Sequence, residues 1–441
     1  MSHADPATAF EPSPSRRDFL KHSSALAAGS SVVASFGAIP AVHAQGSETV
    51  KVALIGCGGR GSGAALNAMK ADPSNRLTVM CDLFPDRLNQ AKQRLSTQLE
   101  KQFDVKDDNS FSGFDGYKRV MDSDVKVVLL CTTPHFRPLH LQAAIDAGKH
   151  VFCEKPVAVD APGVRKVLKT SEQAKEKGLA LVSGLCWRYD LGVRETIKRI
   201  QDGAIGDIIA IQENYLTGTL WHRGTREEHP EWSEMEYQMR NWMYYTWLSG
   251  DHNVEQHIHS LDKALWLMGD QPPVAATGLG GRQVRTGEQW GNIYDHHAVV
   301  YEWANGVRVF SFTRQMAGCK NETEDIIFGT KGQAQVIKHE ITSGGETWRY
   351  KGDKPSMYDV EHVELFKSIR DGKPINNGQY MCYSTMLAIM GRMATYTGQR
   401  VTWDEAMNSK LDLTPESYEF GPVKLPPDAL AIAMPGKTKL T

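Results

Sequence analysis

The stretch V-K-V-A-L-I-G-C-G-G-R-G, residues 50–61, decides how the rest of the chain is read. It begins as a short, mainly aliphatic run, the signature of a strand buried on both faces of a parallel sheet. The run ends in a turn where Gly56, Gly58 and Gly61 have the spacing G-x-G-x-x-G, and a helical pattern follows over residues 64–70. In a strand–turn–helix unit the first glycine permits the tight turn and the second lets the backbone approach a pyrophosphate. The third lets the helix pack on the strand. The helix amides then face the phosphates. Gly59 and Arg60 share that turn and are expected at the same ligand.

Working outward, a second strand over residues 77–81 ends at Asp82, ~20 residues beyond the turn, where a carboxylate accepts the ribose hydroxyls of a dinucleotide. That carboxylate repels a 2′-phosphate, so NAD is the expected cofactor, with Arg60 and Arg87 near enough in sequence to leave NADP open. A third buried run, residues 125–131, leads into Thr132-Thr133-Pro134. Ligands of such sheets sit beyond the carboxyl ends of the strands, so Thr132, Thr133, Pro134 and His140 are expected on the nicotinamide side. The next strand, His150–Cys153, ends in Glu154-Lys155-Pro156.

After residue 188 the pattern changes to longer amphipathic strands, at residues 208–217, 298–303, 307–313 and 325–329. The fold expected is α/β: a Rossmann dinucleotide-binding domain over residues 48–187, then an α+β substrate and oligomerisation domain with a large, mainly antiparallel open sheet over 188–412. Residues 413–441 read as an extended C-terminal arm. A length of 441 residues fits two such domains behind a leader. Lys and Arg (50) balance Asp and Glu (52), so no broad basic face is available for nucleic acid. The seven cysteines form no C-x-x-C pair and read as small core residues.

Residues 15–21 read S-R-R-D-F-L-K, followed by a weakly apolar stretch over 23–39 and a small-residue site ending V-H-A at Ala44. This is the pattern of a twin-arginine signal peptide, so residues 1–44 are expected to be removed on export to the periplasm. Gly29, Gly37 and Pro40 leave the stretch too weakly hydrophobic for a permanent membrane span. The twin-arginine machinery carries folded proteins, so the cofactor is expected to be loaded before export and held tightly.

In A-L-I-G-C-G-G-R-G (53–61), E-K-P (154–156), W-R-Y (187–189) and E-Q-H-I-H-S-L-D (255–262), the chain resembles the Gfo/Idh/MocA family, the glucose-fructose oxidoreductases and inositol dehydrogenases, over about residues 51–404. The resemblance implies that Lys155 meets cofactor and substrate at the hydride-transfer point. An ammonium there stabilises alkoxide character on an alcohol oxygen. It also implies His259 as the acceptor of the hydroxyl proton, with Glu255 standing where the family has Asp. Residues 248–269 read as one helix, on which a spacing of four puts Glu255 and His259 on one face, where the carboxylate can orient the imidazole or take part in proton relay. His257, two residues off, points elsewhere. E-Q-H-I-H with His296 and His297 also offers zinc ligands, but hydride transfer beside Lys155 needs no metal, and none is expected.

Between Trp221 and Trp247 tryptophans, tyrosines and arginines crowd together, a composition that suits the apolar faces and hydroxyl edges of sugar rings. Arg188, Tyr189, Arg240 and Trp242, with Lys155 and His259, are the expected substrate contacts. The function expected is hydride transfer between NAD(P) and a carbinol carbon of a sugar, cyclitol or glycoside. Two alternatives stand beside it: a redox-neutral glycosidase or lyase acting by transient oxidation, and a non-catalytic sugar-binding protein on the same fold. A large exposed sheet face favours a homo-oligomer.

Overall fold

Alternate side chains of Val50–Ile55 (β1) enter different apolar cores, Val52 and Leu54 one and Ala53 and Ile55 the other, as a strand covered on both faces requires. The computed structural model describes residues 48–427 and 429–440, so the twin-arginine motif and its cleavage site lie outside the described residues. β1 is central in a six-stranded parallel sheet that runs Ser110–Ser112 (β3), Asn75–Asp82 (β2), β1, Val127–Leu130 (β4), His150–Cys153 (β5), Leu181–Ser183 (β6). The direction of strand addition reverses at β1, so the loops leaving β1 and β4 diverge and open a crevice at their carboxyl ends. Gly59–Ala71 (α1) follows β1 directly, and Pro85–Leu99 (α2) follows β2.

The second sheet has nine strands. Its spatial order is Glu346–Arg349 (β14), Glu340–Ser343 (β13), Gly332–Gln335 (β12), Glu322–Gly329 (β11), Ile208–Thr217 (β7), Arg308–Gln315 (β10), His296–Glu302 (β9), Ala275–Gly281 (β8), Val401–Thr402 (β15). Its neighbours are antiparallel except β7 and β10. Ile258–Leu267 (α5) and Gly378–Thr397 (α7) lie on its inner face. Along β10, Val309, Ser311 and Thr313 point inward and are buried, while Phe310 and Phe312 point outward. Phe328 and Leu279 are exposed on that same outer face, in register with β10 through Ala210 and Ala298.

The expected single helix over 248–269 is broken into Thr246–Ser249, His252–Glu255 (α4) and α5. Gly250 and Asp251 take φ of +80° and +82°, a backbone that ends the first piece in a left-handed cap. Asp251 is held there by donors from the Tyr294 amide (3.0 Å), the Asn253 amide (3.3 Å) and the Tyr396 hydroxyl (2.5 Å). The apolar pattern gives no sign of these breaks, because Leu248 before Gly250 and Val254, Ile258, Leu261 and Leu265 after it are all buried. Residues beyond 408 form no helix or strand among the described residues. They are nonetheless fastened: the Leu413 amide donates to Asp160 (2.9 Å), Tyr418 and Phe420 pack on Phe114, and the Tyr294 hydroxyl donates to the Ala433 carbonyl (3.0 Å). Among the described residues no helix is long and apolar enough to cross a membrane.

Candidate active site

The glycine turn is shaped by what its neighbours exclude. A Cβ on Gly56 (φ +95°) would stand 2.6 Å from the Cys131 carbonyl carbon, and one on Gly61 would stand 1.8 Å from the Gly56 carbonyl oxygen. Gly58 and Gly59 instead face open space, with nothing within 4 Å of a Cβ. That is the cradle a pyrophosphate needs: two positions closed by packing and two left free for backbone approach. Asp82 fixes the turn by accepting from the Cys57 amide (2.6 Å) and the Phe84 amide (2.9 Å). Burial pushes its carboxyl above the usual range against these donors and Arg87.

The turn forms one end of a cavity of about 1030 Å³, large enough for a dinucleotide together with a small substrate. Gly56, Gly58, Gly59, Arg60, Gly61, Asp82, Thr132, Thr133, His140, Glu154, Lys155, Glu255 and His259 all line it. Pro134 does not; it starts a buried 3₁₀ turn behind the wall. His140 lies 3.4 Å from the Thr132 hydroxyl, and burial drives its imidazole down to about 3. Arg60 is committed elsewhere than to a phosphate: its guanidinium pairs with Glu154 and with Glu361 (2.7 Å). Burial alone would raise Glu154, but Arg60, Lys155 and Arg137 outweigh it and hold that carboxyl below its ordinary range.

Lys155, at the end of β5, meets α4 across the cavity. Its ammonium donates to the Glu255 carbonyl oxygen (2.5 Å) and to Glu255 Oε1 (3.0 Å). Glu255 therefore holds the lysine rather than the imidazole, its other carboxylate oxygen accepting from the Gln256 side chain. His259 is half-buried on the first turn of α5, with Nδ1 enclosed and without a hydrogen-bond partner. Burial, followed by Lys155, Lys263 and Arg60, holds its imidazole well below the ordinary range. It is thus a neutral base at neutral pH.

Two of the expected substrate contacts lie outside the cavity. Cys186–Tyr189 is a 3₁₀ turn that gives Trp187 to the cavity and turns the next two side chains away. Arg188 is buried between Asp262 (2.9 Å) and Asp270 (2.6 Å) against the Tyr380 ring, and Tyr189 donates to Asn377 (2.8 Å). Arg240, from the helix Glu234–Arg240 (α3), and Trp242 do line the cavity, Trp242 beside the Trp221 ring. The Arg240 guanidinium sits 4.0 Å from the Phe84 ring and pairs with Asp86 (3.2 Å), which places it at the ribose end rather than beside His259. The surroundings of Lys155 and His259 come from residues the sequence reading passed over: Trp187, Tyr215, Gln256, Lys263, Thr323 and Tyr358. Trp187 and Gln256 sit inside noted motifs and Lys263 directly follows one; Tyr215, Thr323 and Tyr358 are brought in by β7, β11 and Met357–Arg370 (α6), distant in sequence, with no local pattern to mark them.

The histidines of the zinc alternative are dispersed. His257 meets the Ser311 hydroxyl (2.5 Å), His259 faces the cavity, and His296 meets Asp295 (2.7 Å). His297 gathers instead with Asp251 and His252, their ligand atoms within 4.8 Å of one another. Asp251 already has its backbone and tyrosine donors, and both ring nitrogens of His297 have partners, Thr395 at 2.9 Å and Asp251 at 3.2 Å.

Residues 50–184 match the model of an oxidoreductase family with an NAD-binding Rossmann fold, and residues 193–335 match the GFO/IDH/MocA C-terminal domain. A 2,7-anhydro-N-acetylneuraminate hydratase of Escherichia coli (strain K12) is 28% identical, over 50% of this chain and 55% of that protein. An inositol 2-dehydrogenase of Burkholderia cenocepacia (strain HI2424) is 26% identical, over 74% of this chain and 87% of its own length. The chain spans about 55–60% of the length of the first curated relatives it matches. The crystal structure of an aldose-aldose oxidoreductase from Caulobacter crescentus shares the fold with a TM-score of 0.63 at 19% identity, covering 80% of this chain and 100% of that one.

Proposed function

Because the chain belongs to the Gfo/Idh/MocA oxidoreductase family, with an NAD-binding Rossmann domain, we propose that it transfers hydride between NAD and a carbinol carbon of a sugar, cyclitol or glycoside. The observation that carries this reading is that the Lys155 ammonium, the His259 imidazole and the open backbone of Gly58 and Gly59 line one cavity. When bound, the nicotinamide supplies the hydride acceptor or donor. His259, kept neutral, takes the hydroxyl proton as the carbinol is oxidised and returns it on reduction. Lys155, anchored by Glu255, stabilises charge developing on the substrate oxygen. Trp187, Tyr215 and Tyr358 offer the flat apolar faces that a sugar ring buries. Replacing His259 by alanine abolishes turnover while leaving nucleotide bound; turnover at the wild-type rate would remove His259 from the mechanism.

A second reading is transient oxidation, in which a group is eliminated from the acidified intermediate and the hydride then returns. The relative named as a hydratase favours it. Stoichiometry separates the two: net oxidation accumulates one reduced nicotinamide per product, whereas the redox-neutral route accumulates none.

The twin-arginine leader supports export of a folded, cofactor-loaded protein to the periplasm, which cell fractionation of the wild type and an Arg16→Lys, Arg17→Lys variant would test. Leu279, Phe310, Phe312 and Phe328 on the outer face of the large sheet support a homo-oligomer, testable by light scattering of the wild type and of Phe310→Asp.

A further inference from the structure

Directly behind His259 the protein buries a second ammonium with no part in the mechanism above. Lys263 is one helical turn further along α5 and is 1% exposed, yet it borders the catalytic cavity. Its ammonium donates to the His259 carbonyl oxygen (2.6 Å), lies 3.0 Å from Asp325 Oδ2 and 5.1 Å from the centre of the Trp187 ring. Asp325 is one end of a polar row on the inner face of the large sheet. Glu213 on β7 lies directly opposite Asp325 on β11 and directly opposite Ser311 on β10. His257 closes the row, bonded to Ser311 and 3.9 Å from Glu213.

The charges in this row do not balance if every group is ionised. Two carboxylates facing each other on neighbouring strands share one ammonium in a dry environment, which only one of them can answer as an anion. Glu213 is fully buried with neither oxygen hydrogen-bonded, and burial together with Asp325 keeps its proton on well above the ordinary range. Lys263 is paired with Asp325, and its ammonium points at the turn that carries His259.

We propose that Lys263 is a positioning residue for the base: it clamps the His259 carbonyl and places a fixed positive charge beside the imidazole, so that His259 stays neutral and ready to accept a proton. The proposal rests on His259 being the base. The charged groups facing that imidazole are Lys155 from the end of β5, Arg60 from α1, Glu255 from α4 and Lys263 from its own helix. Glu255 is committed to Lys155, and Arg60 to Glu154 and Glu361, which leaves Lys263 as the cation whose partner lies on the far side from the cavity.

The test compares Lys263→Gln, which keeps a donor for the carbonyl but loses the charge, with Lys263→Met, which loses both. The pH dependence of kcat/KM is read alongside the His259 imidazole signal in NMR, assigned by its absence from His259→Ala. Both lysine variants move the acid limb up by about one pH unit, and only Lys263→Met also lowers the plateau. Glu213→Gln, which mimics the protonated acid, leaves limb and plateau in place. An acid limb unmoved in Lys263→Gln overturns the proposal, as does a limb that moves in Glu213→Gln. If neither lysine variant folds, Asp325→Asn decides: freeing the Lys263 ammonium of its counter-ion moves the His259 midpoint down, and a midpoint that stays in place or rises overturns the proposal. Full activity in His259→Ala would instead sink the base assignment, while the NMR midpoints would still report on Lys263.

Discussion

Lys155 shows how little room a single side chain has in this cavity. Its ammonium is tied to both the carbonyl and the carboxylate of Glu255, so one residue sets where charge is met in the transition state. Glu255→Gln keeps an acceptor but not the anion, and is expected to lower kcat roughly tenfold to a hundredfold with nucleotide content unchanged, read by steady-state kinetics and mass spectrometry. Glu213 gives a prediction in stability instead. Its folded-state carboxyl is raised far above the unfolded 4.5, so folding takes up a proton at neutral pH. What it contributes is fully present below 4.5 and is lost as pH rises towards the folded value. Glu213→Gln should therefore melt higher than the wild type at neutral pH, with the gain shrinking as pH falls towards 4.5. Of these residues, Lys155 and His259 could be read from short motifs. Glu213 and Asp325 could not, because strand register brings them together and nothing in their local sequence marks a site, and the role of Lys263 depends on its ion pair with Asp325.

At the level of elements, the glycine turn was legible because its chemistry is local: strand, tight turn and helix start within twelve residues, and Gly56 and Gly61 answer contacts inside that span or with the neighbouring strand while Gly58 and Gly59 stay open. The helix expected to carry His259 is interrupted twice, at Gly250 and Asp251 and again at Gln256 and His257, and the buried apolar positions from Leu248 to Leu265 give no sign of either. The second interruption stands between Glu255 and His259, and the carboxylate meets Lys155. Gly250 has a left-handed backbone, and a Cβ there would lie 2.8 Å from Val254. Gly250→Ala is expected to cost about 1–3 kcal/mol in denaturant unfolding and to lower activity by disturbing α4. Arg188 and Tyr189 were misplaced for a similar reason, since a 3₁₀ turn reverses which of three adjacent side chains reaches the cavity.

Across the whole molecule, the six-stranded sheet supplies the nucleotide cradle and Lys155, while the nine-stranded sheet and its covering helices supply His259 and the groups behind it. The division into a Rossmann sheet and a larger, mostly antiparallel one could be foreseen from the change in strand pattern after residue 188. The path of the C-terminal arm could not, because its contacts with Asp160, Phe114 and Tyr294 are fixed by surfaces built elsewhere in the chain. The account as a whole turns on a nicotinamide lying between Lys155 and His259. The most direct measurement is a single-turnover experiment on purified protein whose nucleotide content is known from mass spectrometry, mixed with a panel of sugars and cyclitols while the reduced-nicotinamide absorbance is followed. The wild type is predicted to give a burst that His259→Ala and Lys155→Ala both lose at unchanged nucleotide content; a full burst in both variants would contradict the account.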